Sequence, residues 1–452
     1  MRSLGKLLLE GTYTTDKEDL ICYGYDASGL DNCPATVVWP INTLDVIKTV
    51  KFARENGLKI IPRGAGSGMT GGSVPGEDSI VLSFEKMNRI LEIDAGNLTA
   101  IVEPGVINGH LQSELEDSGF FYPPDPASLN ICTIGGNVAE NAGGPRALKY
   151  GVTRDYVMQI EAVLPDGRLI STGVETSKGV VGYDLTRLLV GSEGTLAMIT
   201  KIRLKILPAP EAIVTILCAF NSIELAGKTV SKIIASALLP RTMEIMDRMT
   251  LMAVNKYKNV GFPENVEAML LVELDGNRRA IVQDAEKVSN ICNSFEGKIK
   301  IAEDVASRDM LWEARRAVSP ALYKISPTKI NEDIVVPITR VADILVAVQR
   351  ISEKFGIPIA CFGHAGDGNI HVNVMVDKNN KESVAKSEKI VREIFKATLD
   401  MGGTISGEHG IGLTKAKYLD MELDAVNIEL MKGVKKLFDP ENILNPGKVF
   451  LS

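Results

Sequence analysis

The sequence predicts an α+β protein in which two differently textured domains follow one another. Its 452 residues exceed what one ordinary core organises. From Thr36 to about Pro208, short strands alternate with glycine-rich turns and two clear helices. After Leu207-Pro-Ala-Pro210 glycine thins out and strands alternate with longer helical patterns. That second texture predicts an antiparallel sheet covered by helices.

The elements follow in order. Thr36-Val-Val-Trp39 is a strand. Residues 43–56 form a helix with Asn42 or Thr43 as cap, Val46, Val50 and Ala53 on one face, and Gly57 as the stop. Lys59-Ile-Ile-Pro62 is the next strand, and Val106 to Ser118 the second helix, stopped by Gly119. Glu161 to Ile170 is a hairpin turning on Asp166-Gly167. In the second domain the strands are 212–220, 242–246 and 268–274, with helices at 222–236 and 278–294. A helix at 308–323 precedes the strand Asp333-Ile-Val-Val-Pro337, a helix at 341–355 and a hairpin at 358–376. The tail Asn442-Ile-Leu-Asn-Pro-Gly-Lys448 is turn-forming.

The composition is that of an ordinary soluble protein, 45% apolar and 24% charged. A formal charge of −7 and a pI near 5.4 argue against nucleic acid or an anionic membrane as partner. The six cysteines form no C-x-x-C pair, which excludes an iron–sulfur ligand set of usual spacing and gives no disulfide framework. A reducing cytoplasm fits best. No window reaches the roughly 18 apolar residues of a membrane span, so any membrane association would go through a partner protein. Self-association is left open.

Three glycine-rich segments carry the binding reading. Pro62-Arg-Gly-Ala-Gly-Ser-Gly-Met-Thr-Gly-Gly72 contains G-x-G-x-x-G, but Gly72, Pro75 and Gly76 forbid the helix that a dinucleotide-binding turn must open. What remains is either a flexible surface loop or exposed backbone N–H groups curling around an anion. Pro123 to Gly144 and Gly182 to Leu196 are rich in small residues in the same way. Three such segments imply a large, phosphate-bearing ligand.

Three of the four histidines sit in His364-Ala-Gly-Asp-Gly-Asn-Ile-His371 and Gly407-Glu-His-Gly410. Two imidazoles across a tight Asp-Gly turn, with a carboxylate from elsewhere, suit a divalent metal with an open position. The bland alternative is an internally bonded polar hairpin. His110, alone, reads as a hydrogen-bonded structural residue. Arg315 and Arg316 are candidate anchors for an anionic carboxylate, or else solvated surface cations.

Together the motifs R-G-x-G-x-G, P-D-P, G-G-N-x-x-x-N-A-G-G, G-S-E-G-T-L, G-H-x-G-D-G-N-x-H, G-E-H-G and N-P-G-K resemble, along nearly the whole chain, the family of D-lactate dehydrogenase, glycolate oxidase and D-2-hydroxyglutarate dehydrogenase. The resemblance implies a PCMH-type FAD-binding domain of two α+β subdomains over residues 1–208. It also implies a ferredoxin-like antiparallel-sheet substrate (cap) domain with the metal site over 209–415. A C-terminal segment, 416–452, would return to the FAD domain.

By the same resemblance, FAD would be held by Pro62, Arg63, Gly64, Ala65, Gly66, Ser67, Gly68, Thr70 and Gly71, and by Pro126, Ser128, Thr133, Gly135, Gly136, Asn137, Asn141, Gly143 and Gly144. Glu193, Gly194, Ile199, Asn445 and Lys448 complete that set. Some relatives attach FAD through a histidine at the position of Ser67, so attachment here is expected to be noncovalent. The resemblance makes His364, His371 and Glu408 ligands of one divalent ion (Zn, Mn or Fe) and His409 the base. It places Arg315, Arg316, Ser319 and Asn373 at the substrate.

The reaction implied is oxidation of a small 2-hydroxy acid by hydride transfer to the flavin. Relatives acting on 2-hydroxyglutarate carry a lysine two residues before the acid matching Asp333. Asn331 stands there and Lys329 is displaced, which tilts the expectation to a monocarboxylic acid, D-lactate ahead of glycolate. Without an internal electron relay, electrons would pass to an electron-transfer flavoprotein or an iron–sulfur subunit. A non-catalytic flavin subunit would need the glycine loops but not the histidines.

Overall fold

The computed structural model describes residues 4–377 and 379–450. They form two compact units. The first takes the described residues up to Gly143, Val152–Ala209 and everything from Glu408 on. The second takes Gly144–Gly151 and Pro210–Gly407. The division thus differs from the sequence expectation at two places. The eight residues Gly144–Gly151, which begin at the end of the second glycine-rich segment, leave the first unit, because Lys149 and Tyr150 both bind the Asp275 carboxylate. The return to the first unit begins at Glu408 rather than at 416.

In the first unit, β1 (Tyr13–Thr14), β2 (Thr36–Val38), β3 (Lys59–Arg63) and β4 (Ser79–Ser83) form a sheet of order β1-β2-β4-β3. The β2–β4 and β3–β4 pairs are parallel, and β4 is buried along its whole length, as strands covered on both faces must be. The helix Thr43–Glu55 covers this sheet with Val46, Val50, Phe52 and Ala53, and the Asn42 side chain caps it through the Asp45 N–H. The C-terminal segment returns beside β3, where Ile60 N donates to Ile443 O and Asn445 N to Ile60 O. This exchange places Asn445 at the glycine-rich loop that follows β3.

A second sheet combines β5 (Ile90–Asp94), β6 (Thr99–Val102), β8 (Val157–Val163), β9 (Leu169–Gly173) and β10 (Met198–Lys205) in the antiparallel order β5-β6-β10-β8-β9. The expected β8–β9 hairpin turns at Asp166-Gly167. A two-residue pair, β7 (Phe120–Phe121) with β11 (Leu207–Pro208), adds to this unit. The second expected helix is shorter than its pattern, Asn108–Glu116.

In the second unit, β12 (Ala212–Phe220), β13 (Thr242–Asp247), β14 (Ala268–Gly276), β15 (Lys298–Ile301), β16 (Thr328–Val335), β17 (Ile359–His364) and β18 (Asn369–Val376) make one antiparallel sheet. Its order is β15-β12-β14-β13-β17-β18-β16. Eight of the nine residues of β14 are buried, so both faces are covered. One face packs a core of Met246, Leu271, Phe362 and Met375 against the helices Arg248–Lys258 and Val318–Leu322. The helices Ile223–Ala235, Arg278–Ser294, Val341–Phe355 and Lys381–Asp400 also pack in this unit.

The helix expected over 308–323 is two helices, Val305–Arg316 and Val318–Leu322. Pro320 has no N–H to donate to the Arg316 carbonyl four residues back, and the helix breaks there. The strand expected at 333–337 starts earlier and runs Thr328–Val335. Two helices that the sequence reading left unassigned, Lys381–Asp400 and Ala425–Phe438, are present. Among the described residues no helix is long and apolar enough to cross a membrane.

Candidate functional site

The first unit contains a cleft of about 240 Å³, partly open to solvent. Its walls are the loop after β3 (Pro62 to Gly68), Pro126 and Ser128, and the start of the helix Ile134–Glu140 (Thr133, Gly135, Gly136, Asn137). Gly143, Glu193, Gly194, Ile199, Glu408, His409 and Asn445 complete it. Thr133 caps the helix by accepting the Gly136 N–H at 3.2 Å. The walls approach one another closely enough to demand glycine. A Cβ at Gly194, where φ is +65°, would lie 2.3 Å from Pro62 Cγ.

Five residues expected at the cofactor do not line this cleft. Thr70 ties its hydroxyl to the His409 carbonyl at 3.2 Å, so it acts on the wall from behind. Gly71 packs against Leu413. Asn141 ends the helix in the left-handed conformation and accepts the Arg154 N–H. Gly144 belongs to the second unit. Lys448 is buried, donates to Val74 O at 2.7 Å, and has its pKa pushed down to about 8 by that burial. The Gly182–Leu185 part of the third glycine-rich segment is also away from the cleft, with Tyr183 94% exposed.

The cleft suits a large polar cofactor in more than shape. Buried Glu140 Oε2 and Asn445 Oδ1, both from residues lining it, have no hydrogen-bond partner among the described residues. An unsatisfied buried oxygen costs about 1–3 kcal/mol, which a bound polar ligand would relieve. Asn445 itself is fixed by Nδ2, which donates to Gly72 O and Glu193 O at 2.9 and 2.7 Å. Glu408 and His409 lie on an irregular stretch, as expected of adjacent side chains with different tasks, and Gly410 has φ +78°. Their closest Glu408–His409 approach is 3.9 Å.

In the second unit the strand period of two gathers a polar row on the sheet face that carries Phe362 and Met246. His371 is paired across to Asp333 on one side and to Phe362 on the other. His364 is paired to Asn369 and to Glu244. The His364 and His371 rings stand edge to face with centroids 5.2 Å apart. His364 Nδ1 is 2.6 Å from Glu244 Oε1, and His371 Nδ1 is 3.6 Å from Asp333 Oδ1. The Glu244 carboxylate at His364 Nδ1 fixes that tautomer and leaves its Nε2 lone pair for a metal, and with the His371 ring beside it the donor set fits a divalent ion.

Asp333 is itself placed by Asn369 Nδ2 at 2.6 Å and by the Gly407 N–H at 2.9 Å. Gly407 is the residue that precedes Glu408.

Arg315 is 8% exposed, and its Nε and Nη2 lie 2.7 and 2.6 Å from Glu244 Oε2. Its guanidinium also stacks 4.8 Å from the Phe362 ring centre. Burial alone would raise the Glu244 pKa, but His364 and Arg315, both bonded to the carboxylate, outweigh it and hold the carboxyl at about 2. Arg316, the last residue of the helix Val305–Arg316, is exposed, and so is Ser319 beyond the break. Asn373 is fully buried, its Nδ2 making long contacts to His371 O and Ala360 O while Oδ1 has no partner among the described residues.

Lys329 lies on the same face of β16 as Asn331 and Asp333, and its Nζ donates to Ser319 Oγ at 2.8 Å. Burial lowers its pKa to about 8. His110 is exposed, 3.5 Å from Glu114.

Sequence reasoning missed Glu244. The available signal was a lone acid at an inward position of Thr242-Met-Glu-Ile-Met-Asp247, otherwise an apolar strand.

The model of the C-terminal domain of FAD-linked oxidases matches residues 209–449, and that of an FAD-binding domain matches 34–173. Glycolate oxidase subunit GlcD of Bacillus subtilis is 45% identical over 432 residues, spanning 95% of this chain and 92% of its own. D-lactate dehydrogenase of Archaeoglobus fulgidus is 38% identical over 422 residues, spanning 91% and 90%. Among solved structures, 4-ethylphenol oxidase from Gulosibacter chungangensis superposes with a TM-score of 0.80 at 18% identity, covering 100% of this chain and 96% of its own. p-Cresol methylhydroxylase does so with the same TM-score and coverage at 16% identity. At those identities the likeness is one of fold.

Proposed function

Because the chain belongs to the FAD-linked oxidoreductases of the glycolate oxidase and D-lactate dehydrogenase type, we propose that it oxidises a short 2-hydroxy acid, glycolate or D-lactate, to the 2-oxo acid. The observation that carries this reading is Arg315, a buried guanidinium pinned by the same carboxylate that orients His364. A solvated surface arginine would have neither feature.

Each residue then has a task. Arg315 offers Nη1 to the substrate carboxylate, and Glu244 keeps the guanidinium from swinging away. Asn373 Oδ1 is a buried acceptor on the same face. His364 and His371 hold a divalent ion, with Glu408 as the third ligand, one peptide bond beyond the glycine that Asp333 fixes. When bound, the ion supplies Lewis-acid stabilisation of the developing alkoxide. His409 takes the hydroxyl proton.

FAD, when bound, is the two-electron acceptor, and the cleft residues from Pro62 to Asn445 hold it. Ser67 offers no imidazole for a covalent link, so FAD is retained by hydrogen bonds and packing. With no C-x-x-C cluster in the chain, electrons leave to a separate protein, an electron-transfer flavoprotein or an iron–sulfur subunit. The subunit name of the GlcD relative supports a multi-protein setting. Glycolate is placed beside D-lactate because that relative is the more similar of the two.

A second reading, an acid with a further carboxylate such as 2-hydroxyglutarate, is favoured by one observation. The Lys329 ammonium has a hydroxyl and a carbonyl for partners, but no carboxylate among the described residues. Anaerobic bleaching of the flavin by a panel of D- and L-2-hydroxy acids decides between them. Rapid bleaching by glycolate or D-lactate supports the first reading. Bleaching by 2-hydroxyglutarate alone overturns it in favour of the second, and no bleaching by any of them removes both.

A further inference from the structure

Glu140 has no role in the family resemblance or in the reaction as laid out above, yet it occupies an unusual position. It is the last residue of the helix Ile134–Glu140, and Asn141 immediately turns the chain in the left-handed conformation. The side chain therefore leaves the helix end and lines the cleft. Its Oε1 lies 3.0 Å from where a Cβ on Gly72 would stand, and Oε2 lies 2.5 Å from where a Cβ on Gly410 would stand. Glu193 Oε1 is 2.9 Å from that same Gly410 point, so the two carboxyls are neighbours.

They are not treated alike. Glu193 is satisfied, each oxygen accepting a backbone N–H at 2.7 Å, from Ile411 and from Gly412. Glu140 Oε2 is buried and has no hydrogen-bond partner among the described residues. A carboxylate there would face a second carboxylate and lack any hydrogen bond. A carboxylic acid would face Glu193 without repulsion and would have one O–H to give. Burial pushes the Glu140 pKa well above the usual carboxylate range, with the Glu193 charge and then that of Asp26 acting in the same direction.

We propose that Glu140 is a positioning residue for the cofactor, meeting bound FAD as a neutral carboxylic acid that donates a hydrogen bond to one of its acceptor atoms. The proposal rests on FAD filling the cleft, and not on which acid is oxidised. Glutamine has the same shape, is neutral, and carries a donor where the acid carries its O–H. Alanine has none. Aspartate is one methylene too short to reach the same point.

The test is the rate at which the holoprotein releases FAD on dilution, followed by the fluorescence of free flavin, for wild type, Glu140→Gln and Glu140→Ala. Thermal melting of each in excess FAD confirms that the variants are folded. The expected result is release about tenfold faster from Glu140→Ala, the loss of one good hydrogen bond, with wild-type release and an unchanged flavin spectrum for Glu140→Gln. Wild-type release from Glu140→Ala overturns the proposal, and so does release from Glu140→Gln as fast as from Glu140→Ala. A wild-type protein that holds FAD but is bleached by no hydroxy acid would defeat the substrate reading while leaving this measurement intact.

Discussion

Glu244 Oε1 lies 2.6 Å from His364 Nδ1, while Oε2 of the same carboxylate takes Nε and Nη2 of Arg315 at 2.7 and 2.6 Å. One buried acid thus couples a candidate metal ligand to the candidate substrate anchor. Its folded pKa of about 2 lies below the unfolded value of about 4.3, so its contribution is full above that unfolded value and is lost only as pH falls through about 2. At any working pH near neutral the carboxylate is ionised.

Replacing Glu244 by Gln should therefore damage two functions at once. The metal affinity is expected to fall by about 10- to 100-fold, because His364 loses the group that fixes its tautomer. The KM for the hydroxy acid should rise in parallel as Arg315 is released. Metal content by elemental analysis and steady-state kinetics check this. A variant with full metal content and wild-type KM would separate Glu244 from both roles.

Arg315→Lys should lower kcat/KM by at least about tenfold, since an ammonium cannot hold Glu244 through two donors and still present a third to substrate. Arg316→Ala, at the exposed last position of the helix Val305–Arg316, should leave kcat/KM unchanged. Equal effects of the two substitutions would contradict the assignment.

Lys329 gives a pH prediction for the second reading. Burial depresses its pKa to about 8, so the ammonium is present below that pH and is lost as pH rises through it. The KM for a dicarboxylic hydroxy acid should climb above pH 8, and Lys329→Ala should raise it at every lower pH. The KM for glycolate should do neither. A glycolate KM that follows the same profile would show that Lys329 acts on the shared carboxylate instead.

Much of this was legible in the residues. The glycine-rich loops after β3 and before the helix Ile134–Glu140, the Asp166-Gly167 hairpin and the histidine hairpin all rest on local signals: turn residues, caps and the period of two. What escaped depends on pairing between distant strands. Glu244 is an ordinary Glu until β13 is laid beside β17 and its register puts it opposite His364. Lys329 looked displaced by two residues, yet the strand period returns it to the face of Asp333. Glu140 matters only because Gly410, far along the chain, brings Glu193 against it. The continuity of the helix expected at 308–323 fails on a local signal, the missing N–H of Pro320.

The most direct test of the central claim is anaerobic reduction of the flavin by glycolate or D-lactate, before and after a chelator strips the protein, with FAD content measured throughout. Bleaching should stop while FAD stays bound, and Zn, Mn or Fe should restore it in the wild type but not in His364→Ala or His371→Ala. Bleaching at the original rate by metal-free protein would contradict the claim.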